Sequence, residues 1–249
     1  MALDDTPADF GFEKVTAAEK TRRVGEVFRS VARRYDVMND LMSLGSHRLM
    51  KRMTVELSGV RRGDRVLDLA GGTGDLAALY APIVGASGQV VLADINGDMM
   101  RLGRDRLLDR GLTQVDFCQC DAAALPFPDE RFHCVTIGFG LRNVTHKEHA
   151  LAEMYRVLRP GGRLLVLEFS KPDNALVATA YSVFQSLWPA IGGAVTGDAH
   201  AYRYLVESIE MHPSQKALKL MIGDAGFSHV GYENLLTGIV AIHYADKAP

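Results

Sequence analysis

The chain has 249 residues, 47% of them hydrophobic and 23% charged, with 24 Gly and 9 Pro. This composition excludes a disordered, collagenous or disulfide-built protein and suits one large α/β domain. Its 28 Lys and Arg against 30 Asp and Glu give a formal net charge of −2, without the positive excess expected of a nucleic-acid binder.

Residues 1–14 carry Asp4, Asp5, Asp9 and Glu13 with no apolar run, so they do not read as a signal peptide and are expected to form a loose tail. They open a helical preface over residues 1–60 of a single domain. Within it Val24, Val27, Phe28 and Val31 recur at i, i+3, i+4 and i+7, with Arg22, Arg23, Arg29, Arg33 and Arg34 beside or opposite them. That is a basic amphipathic helix, which packs on the domain with a solvated Arg face, meets an anionic membrane surface, or does both. From residue 64 on, β-rich runs at 65–69, 89–94, 115–119, 133–137 and 163–169 alternate with helical stretches at 75–84, 98–110 and 147–158. Gly111 and Pro160-Gly161-Gly162 serve as stops. Such alternation predicts parallel strands with crossover helices on both faces. A helix near 214–225 and two strands, 229–236 and 238–244, follow, and the short Leu236-Thr237-Gly238 link makes the last pair an antiparallel hairpin. The expected architecture is a Rossmann-like α/β fold of seven strands with the last reversed.

Between Asp173 and Asp198 lie 24 residues without a charge. Trp188-Pro189 and Gly192-Gly193 interrupt the run, which argues against a spanning helix and for a buried helix or an apolar lid, placed in an insertion at 171–210. The three cysteines, Cys118, Cys120 and Cys134, have no zinc spacing and read as core thiols of a reducing cytoplasm.

Chemistry concentrates in Val66-Leu67-Asp68-Leu69-Ala70-Gly71-Gly72-Thr73-Gly74-Asp75, a buried strand, a glycine-rich turn and a helix start. Gly71, Gly72 and Gly74 let backbone N–H groups approach a ligand closely. Asp94, 20 residues after Gly74 at the end of the next strand, is placed to accept hydrogen bonds from a ribose diol. The glycines serve NAD equally well, since Gly72-x-Gly74-x-x-Ala77 satisfies the loose dinucleotide pattern. Asp68, inside the strand before the loop, suits a cationic ligand better, and Asp121 suits an adenine amino group. Alternatively both carboxylates only cap loops.

These segments resemble the class I S-adenosylmethionine-dependent methyltransferases, and more narrowly the ubiquinone/menaquinone biosynthesis C-methyltransferase family. The resemblance runs through Phe28 to Asp36, Asp68 to Asp75, Leu125-Pro126-Phe127, Phe139-Gly140-Leu141-Arg142-Asn143, and Tyr202-Arg203-Tyr204-Leu205 with Ser208-Ile209. It implies contacts to the S-adenosyl-L-methionine cofactor from Thr73, Asp94, Asp121 and Ala122. Gly138 stands where the family often has Ser, so backbone contact or water is expected there.

The resemblance also implies methyl transfer to a ring carbon of a polyprenylated hydroquinone. That carbon attacks only when a neighbouring hydroxyl is deprotonated or polarised, and lowering a phenol from pKa about 10 to about 7 requires roughly 4 kcal/mol. Arg142, after the fourth strand, could stabilise the phenolate or merely brace its loop. Asn143 could orient the ring oxygens, and Tyr35, Asp36, Asn39 and Tyr202 are candidates to close the site. A water or another side chain would take the proton. His146 and His149 flank a helix start and read as surface or cap residues. No metal is required. The expected partners are the quinol and a membrane surface met peripherally from the cytoplasm, without nucleic acid, a homo-oligomer or quinone-biosynthesis complex being left open. Phe184, Leu187 and Trp188 would line the entrance for the tail. The rival readings are a small-molecule O-methyltransferase, a nucleic-acid base methyltransferase, whose Asn/Asp-Pro-Pro-aromatic motif is missing, and a noncatalytic cofactor-binding regulator.

Overall fold

A computed structural model describes residues 5–31, 43, 45–196 and 198–249. Tyr35, Asp36 and Asn39, with Arg33 and Arg34, lie outside the described residues.

The segment expected to be a loose tail is instead a hairpin from Pro7 onward. β1 (Pro7–Phe10) pairs antiparallel with β2 (Glu13–Thr16), turning at Gly11 with φ +59°. Strand alternation places Ala8 and Phe10 inward while the acids face out. Phe10 stacks on Tyr204 with ring centroids 4.3 Å apart, and the Glu207 carboxylate accepts the Phe12 N–H at 3.3 Å. The acidic residues masked this two-residue anchor.

Next comes α1 (Ala17–Val31), which buries Val24 and Val27. Its described arginines have carboxylate partners: Arg22 donates to Glu19 and Glu26, Arg23 to Glu13 and Glu19, and Arg29 to Asp98. The described part of this helix packs on the domain.

The remaining elements are α2 (His47–Ser58), β3 (Arg65–Leu69), α3 (Asp75–Val84), β4 (Gln89–Asp94), α4 (Gly97–Asp109), β5 (Val115–Gln119), β6 (Phe132–Gly138), α5 (Lys147–Val157), β7 (Leu158–Phe169), α6 (Ala175–Ser186), α7 (Trp188–Thr196), α8 (Ala199–Met211), α9 (Gln215–Asp224), β8 (Ser228–Leu235) and β9 (Val240–Asp246). β3 to β9 form a seven-stranded sheet in the order β5-β4-β3-β6-β7-β9-β8. β3 to β7 pair in parallel, and β9 runs antiparallel to both of its neighbours, as the strand pattern and short last link predict. Both faces are buried, as a parallel sheet requires. Val66, Val90 and Cys134 meet Tyr80 and Ala81 of α3 on one side, and Leu67, Val91 and Val135 meet Leu151 and Met154 of α5 on the other.

The chain moves outward from β3 through β4 to β5 and then returns to the other side of β3 with β6. That reversal opens a crevice beyond the carboxyl ends of β3 and β6, the place where open α/β sheets hold ligands.

The uncharged run folds as α6 and α7, and no described helix is long and apolar enough to cross a membrane. Trp188, expected to line the tail's entrance, does not. It is 0% exposed, enclosed by the rings of Phe169, Tyr181 and Phe184 at 5.6 to 6.5 Å. Leu187, expected at the entrance too, is exposed, as are Leu176 and Val183 of α6.

Candidate active site

Three residues of the first loop, Ala70, Gly72 and Gly74, adopt φ of +49°, +53° and +82°, a conformation glycine takes without strain. Glycine is required in α4 as well, because a Cβ at Gly103 would lie 2.5 Å from the Gly72 carbonyl oxygen. The loop is tied to the next strand by Asp94, whose Oδ2 accepts the Gly72 N–H at 2.9 Å and whose Oδ1 accepts the Asn96 N–H at 2.8 Å. Burial raises the Asp94 pKa, opposed by these backbone hydrogen bonds.

Above the crevice lies a cavity of about 940 Å³, its open mouth included, within the size range of small-molecule sites. β3 contributes Leu69 and the loop after it Ala70 and Gly72, β4 contributes Asp94, the segment after β5 contributes Cys120, Asp121 and Ala122, and the segment after β6 contributes Phe139 to His146 in part. α1 closes one side with Val24 and Phe28. Among the described residues, the acidic and basic side chains of this wall, histidine aside, are Asp94 and Asp121. Two carboxylates without a Lys or Arg suit a ligand carrying positive charge and oppose the pyrophosphate of a dinucleotide, which separates the two cofactors that the glycines leave open. Each carboxylate oxygen has two acceptor positions. Backbone N–H groups of Gly72, Ile95 and Asn96 engage the Asp94 carboxylate, which still lines the cavity.

Several expected site residues stand behind this wall. Asp68 is buried beneath the loop, its Oδ2 accepting the Ala77 N–H at 3.1 Å and its Oδ1 the Thr136 hydroxyl at 3.1 Å. Burial pushes its carboxyl up to about 7. Gly71, Thr73 and Gly74 build the turn without reaching the cavity. A Cβ at Gly138 would lie 2.8 Å from Leu76, so that position faces α3. Tyr202 is 0% exposed and packs against Gly192 of α7, and Tyr35 lies outside the described residues.

Arg142 points away from the cavity. Its guanidinium donates to Glu168 Oε1 at 2.7 Å and to the Phe139 carbonyl, while its own N–H donates to Glu168 Oε2 at 3.1 Å. Both side chains are buried. This is the loop-bracing arrangement: the pair holds the turn after β6, where Phe139 has φ +56°, and so sets the position of Asn143. The Asn143 carboxamide oxygen accepts the Tyr204 hydroxyl at 3.0 Å, leaving its amide N–H bonds for the cavity.

One wall residue departed from its expected place, and another holds its expected place but also reaches the cavity. Cys120 was read as core but faces the cavity; burial first, then neighbouring Cys118, pushes its thiol up to about 12, so it acts as an apolar surface, not a nucleophile. His146 was read as a surface or cap residue. It occupies the position before α5 and also lines the cavity, whereas His149 is exposed. The one sequence signal was its place three residues after Asn143 on the same loop.

The sequence model of the ubiE/COQ5 methyltransferase family matches residues 15–247. The ubiquinone/menaquinone biosynthesis C-methyltransferase UbiE of Pseudomonas fluorescens is 60% identical over 240 residues, covering 96% of this chain and 94% of that protein. The protein of the same name from Pseudomonas putida is 59% identical with the same coverage. Among solved structures, a SAM-dependent methyltransferase from Aquifex aeolicus is similar with a TM-score of 0.60 and 18% identity, over 80% of this chain and 89% of that one. A Haemonchus contortus phosphoethanolamine N-methyltransferase solved with S-adenosyl-L-methionine gives 0.60 and 14% over 80% of this chain and 52% of that one. At such identities the structural likeness concerns the fold.

Arg142→Ala should lower stability by about 3–5 kcal/mol, because it leaves the Glu168 carboxylate buried without its partner. Glu168→Gln in that background should recover part of the loss. Denaturant unfolding measures both, and a loss of turnover at unchanged stability would instead put the guanidinium on the substrate.

Asp68 generates a pH prediction. Its folded pKa lies above its unfolded value near 4, so the native state holds the proton more tightly. The resulting stability is present below pH 4 and lost as pH rises through 7. Asp68→Asn keeps an acceptor for Ala77 and can donate to Thr136, and it should remove this dependence. The wild type minus mutant difference in unfolding free energy, measured from pH 4 to 8, should therefore fall with pH, and a flat difference would refute the raised pKa.

Proposed function

The chain belongs to the ubiE/COQ5 methyltransferase family, and from that premise we propose that it methylates a ring carbon of a polyprenylated hydroquinone with S-adenosylmethionine as donor. This is the C-methyltransferase activity of ubiquinone and menaquinone biosynthesis for which its 60% identical relative is named. The observation that carries the reading is the composition of the cavity wall: a carboxylate pair suited to a cation on one side, an amide and an imidazole on the other. S-adenosylmethionine, when bound, supplies a methyl group on a positively charged sulfur.

Asp94 would hold the ribose diol, and Asp121 with Ala122 would hold the adenine edge. Direct displacement at a methyl group needs alignment and a water-poor site more than it needs Lewis acid help. Leu69, Met99 and Phe139 make much of the surface apolar. Asn143, fixed by Tyr204, would donate to a ring oxygen and so stabilise negative charge developing there. His146 would take the phenolic proton. Arg142 contributes at one remove by keeping Asn143 in place. The O-methyltransferase alternative is disfavoured by the C-methyltransferase names of the relatives.

We place the enzyme in the cytoplasm, visiting the membrane where the quinol resides. Leu176, Val183 and Leu187 present an exposed apolar row at spacings of seven and four, the pattern of one helix face, and they replace Phe184 and Trp188 as the surface offered to the bilayer or the prenyl tail.

Asp94→Ala should weaken S-adenosylmethionine binding by about 10- to 100-fold, since a charged acceptor contributes about 1.5–3 kcal/mol, with the fold retained. Calorimetry checks the affinity. Turnover with demethylmenaquinol and with a methoxy-polyprenyl-benzoquinol, read by the site of methylation, tests the reaction itself; a methyl found on oxygen, or no turnover with either, would overturn it.

Replacing Leu176, Val183 and Leu187 by Ser should reduce cosedimentation with vesicles and raise KM for prenylated quinols while leaving the affinity for S-adenosylmethionine unchanged. Each buried CH₂ is worth about 0.8 kcal/mol, so loss of even one prenyl contact is measurable. Unchanged KM and unchanged vesicle binding would remove α6 from this role.

A further inference from the structure

Lys20 lies on the buried stripe of α1, four residues before Val24, and is 5% exposed. A lysine in such a place ordinarily extends its ammonium to water or to a carboxylate. Lys20 makes no hydrogen bond and no ion pair among the described residues. It lines a second cavity, of about 540 Å³ with its opening, together with Lys147, Arg142, Thr145, Tyr204 and Asp9. Thr145 belongs to the walls of both cavities, so the loop carrying Asn143 and His146 separates them.

The charges here do not close. Glu168 pairs with one guanidinium nitrogen of Arg142 at 2.7 Å, while the Arg142 Nε is buried without a hydrogen-bond partner among the described residues, and Asp9 is held by Lys14 at 2.6 Å. Lys147 donates to the Val144 carbonyl at 3.0 Å and has no carboxylate within ion-pair distance among the described residues. Two ammonium groups therefore share one recess with no carboxylate within ion-pair distance of either among the described residues, Asp9 acting on both only from farther away. Burial first, then repulsion by Lys147, brings the Lys20 ammonium down to about 8, against the pull of Asp9. A buried charge without a partner is costly, and an anion between the two lysines would offset that cost.

We infer that this recess is a binding site for a small oxyanion, a phosphate or carboxylate group held between Lys20 and Lys147. The Thr145 hydroxyl is the third donor available to it. The Asp9 carboxylate faces the same space and disfavours ligands with more charge than the two ammonium groups can balance. One wall is the hairpin, through Pro7 and Ala8, so occupancy should clamp β1 and β2 onto α8. The site is distinct in sign from the main cavity: basic behind the loop, acidic in front of it.

The test uses the full chain, with inorganic phosphate and succinate titrated at constant ionic strength set by chloride. At least one of them should raise the unfolding temperature saturably and bind measurably by calorimetry. Lys20→Met should weaken that binding at least 10-fold, and in chloride alone this variant should unfold at or above the wild-type temperature because an uncompensated charge has gone. Lys20→Arg should keep most of the affinity, and Asp94→Ala should leave it unchanged, which separates this site from the main cavity. Lys147→Met serves as the second variant should Lys20→Met fail to fold. The inference is overturned if neither anion exceeds chloride, or if the folded lysine variants respond as the wild type does.

Discussion

The carboxylate of Asp94 ties the two halves of the main cavity together. By accepting N–H groups from Gly72 and Asn96, it locks a glycine loop that begins on β3 to the start of a helix that follows β4. That lock also determines what Asp94 can still do. Asp94 also lines the cavity, where burial keeps water from competing for its carboxylate. A single side chain therefore both builds the wall and lines the cavity, and in that loop only Ala70 adopts a left-handed backbone without being glycine.

A second constraint works from behind. The turn after β6 has a left-handed Phe139 and must hold Asn143 at the cavity without support from a regular element longer than the short helical turn Leu141–Asn143. The Arg142–Glu168 pair supplies that support: a buried ion pair contributes little net stability against an apolar substitute, but the Glu168 carboxylate takes both a guanidinium N–H and the backbone N–H of Arg142, which fixes the direction of the turn. The cost of burying charge here is the cost of placing one amide group.

Much of this was legible in the sequence because it depends on period. Strands 65–69, 89–94 and 115–119 and helix 75–84 agree to the residue with the structure, since buried parallel strands and their crossover helices have strong apolar patterns bounded by glycine. Side-chain direction was less legible. Arg142 and Asn143 are adjacent in sequence, yet one turns inward to Glu168 and the other to the cavity, and no periodicity in a short turn distinguishes them. The anchoring of the hairpin by Phe10 was hidden for a different reason: four acidic residues in the first 14 set the composition, while only alternate positions decide packing. Trp188 shows the converse, an apolar segment read as a surface for lipid because nothing in its sequence reveals that three aromatic rings enclose it.

Lys20 shares its position on the helix face with Val24 and Val27, so the stripe itself contained the signal of a buried cation. Its importance could be judged only against its surroundings. The cavity in front of the Asn143–His146 loop carries two carboxylates and the recess behind it two ammonium groups, so the loop stands in a field directed across it. A field of that direction favours positive charge on the Asp94 side and draws negative charge toward the lysines. An anion bound behind the loop would weaken this field, and with it the electrostatic preference that Asn143 and His146 experience. Binding in the recess and chemistry in the main cavity would then be coupled through charge as well as through the Tyr204–Asn143 hydrogen bond, and linkage requires such coupling to act in both directions.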